Sequence, residues 1–562
     1  MMKLTGAEIV IKLLENQGIK RVVGIPGGSN LPLYHALHNS SIQHILVRHE
    51  QAAGFMAQGE ARVTGKAAVC FATSGPGAMN LLTAIADAKL DSIPMVAITG
   101  QVATNLIGTD AFQEVDTFGL SFPITKHSYL VKDVEELFKV IPEAFAVAES
   151  GRPGPVLIDI PKDVQNAACS YKVISKPGGK ASAMEYTDKK AIAAAQDMIH
   201  SSRSPVLIAG GGIIHSEACA HLKTFSERNS IPVAVTLMGL GAFPADHPLY
   251  IGMLGMHAAQ FTNYILEEAD LIIAAGIRFD DRATGNAEKF CSNAKTIHID
   301  IDAAEIHKIR KAHIPMTGDA GEVLKALLPE IAYQKREEWT NRILELRTRY
   351  PLQNPGENTL HPIWLIRRIH DAVPENTPVA TDVGQHQMWV AQTWPFTRPR
   401  TFLTSGGAGT MGFGLPAAMG AATADPEKRV ILFSGDGSIL MNIQELGTLA
   451  EQNLKVTIFV MNNNALGMVR QQQEYFYEGN YIASQYKSRH DFVKIAAGFG
   501  IPGLLLDEAA NADGIIEKAL RCDGPCLVDV RIAPSLNVLP MVPPGRSNTE
   551  MICSVSNIET GL

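Results

Sequence analysis

No run of this sequence is apolar for long enough to cross a bilayer, and nothing behind Met1-Met2-Lys3 has the hydrophobic core of an export signal. A membrane span and secretion are therefore not expected, and the cytoplasm is the expected location. Cysteine is scarce. The seven residues Cys70, Cys169, Cys219, Cys291, Cys522, Cys526 and Cys553 are odd in number and lack the paired spacing of a zinc site, which excludes a disulfide framework and fits a reducing compartment. Basic charge is also in deficit: a net charge of −8 gives neither nucleic acid nor an anionic membrane a surface to bind. Small molecules are the expected ligands. What is present is a globular composition, with 46% hydrophobic and 19% charged residues, and 48 glycines that suit many tight strand-to-helix turns.

A chain of 562 residues exceeds what one hydrophobic core supports, so three domains are expected. Short apolar runs that end in glycine and lead into helical patterns recur in three groups, which is how parallel strands and their crossover helices look in sequence. The first group lies at 21–28, 44–50, 67–77, 93–100 and 155–161, the second at 205–212, 231–237, 270–278 and 295–302, and the third at 378–384, 401–407, 430–437, 455–463 and 525–532. The fold class read from this is α/β, with three consecutive doubly wound parallel-sheet domains at 1–166, 190–335 and 361–540 and a tail at 541–562 that need not join a sheet. Lys176-Pro177-Gly178-Gly179-Lys180 reads as a linker between the first two.

Ligands of open α/β sheets bind outside the carboxyl ends of strands. The buried-strand run 430–433 leads into Ser434-Gly435-Asp436-Gly437-Ser438, where glycines allow a diphosphate to approach the backbone, a helix N-terminus offers N–H groups and Asp436 offers a hard oxygen for Mg²⁺. By itself Gly-Asp-Gly is a common turn. The next strand ends in Asn462-Asn463-Asn464, which brings a second oxygen ligand alongside if the strands are neighbours. Glu50 follows the run 44–47 and so sits at another strand end, although any single glutamate there could simply charge a helix N-terminus. His49 reads as structural. In the middle group, Gly210-Gly211-Gly212 follows a strand as either a phosphate approach or a bare turn.

Together, Gly24-Ile25-Pro26-Gly27-Gly28, His49-Glu50-Gln51-Ala52-Ala53, Thr73-Ser74-Gly75-Pro76-Gly77, Asp382-Val383-Gly384-Gln385-His386-Gln387, Gly409-Thr410-Met411-Gly412-Phe413-Gly414 and the Asp436/Asn463 pair resemble the thiamine-diphosphate enzymes. From Thr5-Gly6-Ala7-Glu8 to Pro543-Pro544-Gly545 the chain is similar to the catalytic subunits of the acetolactate synthase family. That resemblance implies decarboxylation of pyruvate and joining of its two-carbon unit to pyruvate or 2-ketobutyrate, giving 2-acetolactate or 2-aceto-2-hydroxybutyrate for branched-chain amino-acid synthesis. It assigns Glu50 to the pyrimidine ring and Asp436 and Asn463 to Mg²⁺. The family's third metal position is Ala465, where only the backbone carbonyl could serve. Val383, Gly384, Gln385, His386, Gly435, Gly437, Ser438, Gly467 and Met468 would surround the diphosphate, Gly75 and Gln101 would face the cofactor from the N-terminal domain, and Gly409 and Met411 would lie under it. Met411 there wedges between the two rings, whereas on its residue type alone it would be core filling.

The same resemblance implies FAD in the middle domain. The residues carried over are Arg152, Gly210, Gly211 and Gly212, then Thr236, Leu237 and Met238, then Leu254, Gly255, Met256 and His257, then Gly276, Arg278, Asp280 and Arg282, with Asp300, Ile301, Asp319 and Ala320 toward the ribose and adenine. The flavin would be structural. Arg278, and after it Lys126, match a cation for the keto-acid carboxylate, although both could be surface charges. Phe112 and Gln113 lie in a segment that enters the site from a partner subunit. Gln472 stands where many relatives have a tryptophan that favours 2-ketobutyrate, so a weak acceptor preference is expected. A homodimer or tetramer is implied, with a small regulatory subunit as a possible partner. Two other readings are a pyruvate oxidase or decarboxylase on the same fold, and a non-catalytic nucleotide-binding subunit. The joint presence of Glu50, Asp436 and Asn463 speaks against the second.

Overall fold

The computed structural model describes residues 3–172, 184–352, 355–356 and 360–553; the expected linker at 176–180 and the tail from 554 onward lie outside the described residues. The N-terminal domain carries strands β1 (Arg21–Gly24), β2 (Gln43–Leu46), β3 (Ala68–Ala72), β4 (Met95–Gln101), β5 (His127–Leu130) and β6 (Pro155–Pro161). The central domain carries β7 (Pro205–Ala209), β8 (Val233–Val235), β9 (Tyr250–Met253), β10 (Leu271–Ala275), β11 (Lys295–Asp300) and β12 (Ile314–Thr317). The C-terminal domain carries β13 (Val379–Thr381), β14 (Phe402–Leu403), β15 (Val430–Gly435), β16 (Val456–Asn462), β17 (Gly503–Leu506) and β18 (Cys526–Arg531).

Each set forms one six-stranded parallel sheet. The orders are β2-β1-β3-β4-β6-β5, β9-β8-β7-β10-β11-β12 and β14-β13-β15-β16-β18-β17. The first and third sheets thus share one topology, while the middle one has the order of dinucleotide-binding sheets. In every sheet the order reverses at the first strand, which puts a crevice between β1 and β3, β7 and β10, and β13 and β15. Among the described residues no helix is long and apolar enough to cross a membrane.

Interior strands form where the sequence is continuously apolar because helices cover both faces; β4, β6, β15 and β16 are buried along their whole length. The sequence reading does not contain β5, β9, β12 and β17, and all four are sheet edges with exposed or half-buried positions interrupting the apolar run. Expected strands also overshoot their ends. Of 401–407 only Phe402–Leu403 is strand, and the remainder is the loop that approaches the candidate site. The tail is seated, not loose: Met541 and Val542 are buried, Met541 pairs with Ile552, and Val542 N–H donates to Met256 O at 2.8 Å.

The outer domains meet through helices α1 (Glu50–Thr64) and α2 (Gly414–Ala424). A Cβ on Gly59 would overlap the carbonyl oxygen of Ala417, and one on Gly420 would overlap that of Met56, so two glycines set the approach of the helices. Beside them a buried Arg62 guanidinium donates to Asp91 at 2.8 Å, lies near Asp87 and covers the Phe413 ring at 5.0 Å. Asp91 accepts the N–H groups of Gly406 and Gly407 at 3.0 and 2.7 Å, so the ion cluster also fixes the loop that leads to Met411.

Helix propensity favours alanine over glycine by about 1 kcal/mol, yet at this crossing the added methyl forces the backbones apart. Gly59→Ala should lower stability by about 1–3 kcal/mol. Gly514→Ala, in the exposed helix Ala512–Leu520 where a Cβ meets nothing within 4 Å, should raise it by about 0.5–1 kcal/mol. Urea unfolding of the two variants beside the parent checks both signs.

Candidate active site

The crevice between β13 and β15 is organised by an acid that the sequence reading did not single out. Asp382 is buried and accepts from Val383 N at 3.0 Å, Gly412 N at 2.8 Å and Ser434 Oγ at 3.3 Å, tying two loops and a strand end together. Burial pushes its carboxyl up to about 6 despite these donors. Ser438 Oγ donates to Val383 O at 2.8 Å and closes the turn over the crevice. On the far side, Asn463 Nδ2 donates to Gln385 Oε1 at 3.2 Å and Gln385 Nε2 to Gln471 Oε1 at 2.9 Å, so Gln385 braces the asparagine. Any side chain at Gly467 would collide with that amide pair.

These residues enclose a cavity of about 60 Å³ lined by Gly435, Asp436, Ser438, Asn463 and Ala465 with His386 and Met411. Asp436 is 2% exposed, and burial pushes its carboxyl up to about 7 against backbone N–H donation from Ala465 and Asn463. His386 is buried beside it; one ring nitrogen donates to the Asp382 carbonyl while Nε2 has no partner among the described residues, and burial lowers its pKa to about 3. A buried carboxylate with no cation at hand and a buried ring nitrogen with nothing to bond are both what a metal–diphosphate would satisfy, the anion favouring on Nε2 the proton that burial alone keeps off. The donors also fit Mg²⁺. One carboxylate and one amide oxygen form the sparse oxygen set that Mg²⁺ completes with phosphate oxygens, and among the described residues no cluster of three His, Cys, Asp or Glu offers a cage for another ion.

Val383, Gly384, Met411 and Met468 line this cradle and also a second cavity of about 1240 Å³ between the three domains. That volume exceeds an ordinary small-ligand pocket, at about 300–1,000 Å³, and suits a dinucleotide. Its wall carries Gly211, Gly212, Thr236, Leu237, Met238, Leu254, Met256, His257, Gly276, Asp280, Arg282, Asp300, Ile301, Asp319 and Ala320, with Gly409, Arg278 and Gln472. Arg152 closes one end, bonded to Ser92 Oγ at 2.9 Å and to Glu305 at 2.8 Å. Burial raises the Asp300 carboxyl to about 6 and lowers His257 to about 4. Asp319 caps the helix Ala320–Leu327 through the N–H groups of Gly321 and Glu322, so its carboxylate is partly occupied. Gly210 and Gly255 lie behind the wall, and Gly276 O and Arg282 O, respectively, occupy the place a Cβ would take. Arg278 is half-buried and forms no hydrogen bond or ion pair with any described residue, which leaves its guanidinium available to an anion.

Arg152 apart, the N-terminal-domain residues singled out in the sequence lie off the walls of both cavities. Glu50 opens helix α1 and is half-buried, with Asn80 Nδ2 donating to its Oε2 at 2.9 Å. His49 caps that helix by accepting Gln51 N–H at 3.1 Å, in keeping with its structural reading. Neither cavity wall includes Glu50, Phe112 or Gln113. Phe112 is 88% exposed at the tip of a loop held by Glu114, which accepts from Thr109 N and Ala111 N at 3.2 and 3.1 Å, and Gln113 beside it takes φ +59° with its backbone against Gly75. Gln101 braces its strand end: its Nε2 donates to Val115 O and to Asp159 Oδ2, both at 2.9 Å, and its Oε1 accepts Val102 N–H. The Lys126 ammonium reaches Val147 O at 2.5 Å and Ser150 O at 2.6 Å at the end of the helix Leu137–Glu149, with burial lowering its pKa to about 8.

Three family models match in sequence along the chain: thiamine pyrophosphate enzyme, N-terminal TPP binding domain at 4–120, central domain at 192–327 and C-terminal TPP binding domain at 382–530. The chain is 52% identical over 552 residues to the acetolactate synthase isozyme 1 large subunit of Escherichia coli (strain K12), covering 98% of each chain. It is 46% identical over 557 residues to isozyme 2 of the same organism, covering 98% of this chain and 100% of the relative. The probable acetolactate synthase large subunit of Methanocaldococcus jannaschii is 45% identical over 568 residues, covering 98% and 95%. With three sheets in the expected succession, an oxygen-lined cradle at the third and full-length likeness to these proteins, the chain belongs to the acetolactate synthase large-subunit family of thiamine pyrophosphate enzymes.

Proposed function

We propose that the chain is the catalytic subunit of an acetolactate synthase, which releases CO₂ from pyruvate and joins the remaining two-carbon unit to a second 2-keto acid. The observation that carries the reading is the continuity of the small oxygen-lined cradle with the large cavity through Met411 and Met468, at the point where Arg278 and Gln472 also line the wall. Bound thiamine diphosphate supplies the nucleophilic carbon and electron sink that a 2-keto acid lacks for decarboxylation. Asp436 and Asn463 hold the Mg²⁺, and His386, Gly435 and Ser438 receive the diphosphate. Glu50 holds a proton at the pyrimidine ring nitrogen, so the ring's amino group can act as the local base. Arg278 pairs with the keto-acid carboxylate. The central wall takes FAD, with Arg152, Asp300 and Asp319 toward its adenosine end.

Because Glu50, Phe112 and Gln113 lie off both cavity walls, the reading calls for a second copy of the chain to bring its Glu50 and Phe112 to the cradle; a homodimer is the minimum active unit. Relatives named large subunits support a small partner subunit. All seven cysteines are free, which supports a cytoplasmic location. The synthase names of the relatives favour this reading over a pyruvate oxidase or a decarboxylase.

Purified chain given pyruvate, thiamine diphosphate, Mg²⁺ and FAD should form 2-acetolactate; acetyl phosphate formed with oxygen and phosphate would instead identify an oxidase. Glu50→Gln should lower turnover by about 10²–10⁴-fold while the fold is retained. For the metal site, Asp436→Asn should weaken Mg²⁺-dependent uptake of thiamine diphosphate on the order of tenfold or more, read by calorimetry, and unchanged uptake refutes the assignment of Asp436. In competition between pyruvate and 2-ketobutyrate, the parent should show weak preference, and Gln472→Trp should raise the hydroxybutyrate share about tenfold through apolar contact with the extra methyl group.

A further inference from the structure

Glu445 is 0% exposed and begins the C-terminal-domain helix Glu445–Glu451, and no arginine or lysine side chain donates a hydrogen bond to it. Its carboxylate is instead filled by the other outer domain. The backbone N–H of Arg48 donates to Oε1 at 2.8 Å, that of His49 donates as well, and Thr448 Oγ donates to Oε2 at 2.8 Å. Thr448 Oγ also reaches Leu46 O at 3.2 Å, and the Arg48 side chain bonds Leu46 O at 2.9 Å and Glu451 at 2.5 Å. Leu46, Arg48 and His49, which lead into Glu50, are thereby held from across the domain boundary. A few residues earlier, Asn442 is 1% exposed and its Nδ2 donates to Gly412 O at 2.8 Å and to Gln51 Oε1 at 3.3 Å. Gly412 follows Met411, and Gln51 follows Glu50.

An ionised carboxylate buried this deeply is costly unless its hydrogen bonds are complete, and an apolar residue of similar size would pack the same space at no such cost. Packing alone therefore does not account for Glu445. We propose that Glu445, with Asn442, is a positioning residue for Glu50: it fixes the Arg48–His49 backbone so that the glutamate leaves β2 at one defined angle, and it registers that loop against the Met411 segment of the same chain. The inference rests on the proposed role of Glu50. Because Glu50 of one chain and Met411 of the same chain serve different cradles in a homodimer, the Glu445–Asn442 link joins two catalytic centres through one polypeptide.

The test uses full-length Glu445→Gln and the milder Thr448→Val, with and without Glu50→Gln. Amide hydrogen exchange in a peptide spanning 46–52 of cofactor-free protein should speed up about tenfold in Glu445→Gln, since one carboxylate oxygen becomes an amide donor and the remaining acceptor loses its charge, and less in Thr448→Val. In the loaded enzyme, turnover of Glu445→Gln should fall about tenfold with KM for pyruvate within about twofold, the pattern of a lost transition-state interaction. The double variant Glu50→Gln/Glu445→Gln should be no slower than Glu50→Gln alone. Unchanged exchange in both variants, or losses that multiply in the double variant, would overturn the proposal. If Glu50→Gln turns over like the parent, the role of Glu50 fails, and the exchange data still decide whether Glu445 holds the loop.

Discussion

Where a parallel sheet reverses its strand order, main-chain N–H and C=O groups emerge with no partner in either neighbouring strand. Leaving such a group buried and unpaired costs on the order of 1–3 kcal/mol, so each crevice has to be closed by side chains, by a helix N-terminus or by a ligand. Three sheets of this chain reverse, and the molecule answers differently in each. Between β13 and β15 the acid Asp382 gathers the amides of Val383 and Gly412, and what it leaves uncovered is the small cradle around Asp436 and His386. Between β7 and β10 the glycine backbones of 210–212 and 276 pack on one another and leave the large cavity open. Between β1 and β3 the turn around Gly75 is covered by the Gln113 backbone.

The acids that close these sites are seldom matched by cations. Asp300 and Asp382 are raised by burial to about 6, and Asp159 and Asp436 to about 7, while their donors are mostly N–H and O–H groups. A carboxyl raised in the folded state binds its proton more tightly there than in the unfolded chain. Its contribution to stability is therefore full below the free aspartate value of about 4 and is lost as pH climbs toward the folded value. A divalent ion at Asp436 reverses that balance locally. Two clusters do hold a cation: Arg62 with Asp87 and Asp91 at the junction of the outer domains, and Arg152 with Asp302 and Glu305 at one end of the large cavity.

Interior strands were legible in the sequence because residues such as those of β15 and β16 are apolar without interruption, and edge strands such as Ile314–Thr317 were not because alternate positions face water. Cavity-lining residues were legible where they are contiguous, as in the run from Val383 to Gln387 and around Asp436. A side chain's partner was not legible where it lies far along the chain. Nothing near Lys126 announces the carbonyls of Val147 and Ser150, nothing near Gln101 announces Asp159, and Glu445 meets Arg48 only because two domains fold together. The role of Glu50 came from motif likeness; its separation from both cavities is visible only in three dimensions.

Phe112 has a consequence of a different kind. An aromatic ring held 88% exposed by a well-braced loop forgoes about 1.5–3 kcal/mol that any covering surface restores. That deficit lasts while the ring faces water and ends when any apolar surface covers it, so the loop carries a standing preference for contact over solvent.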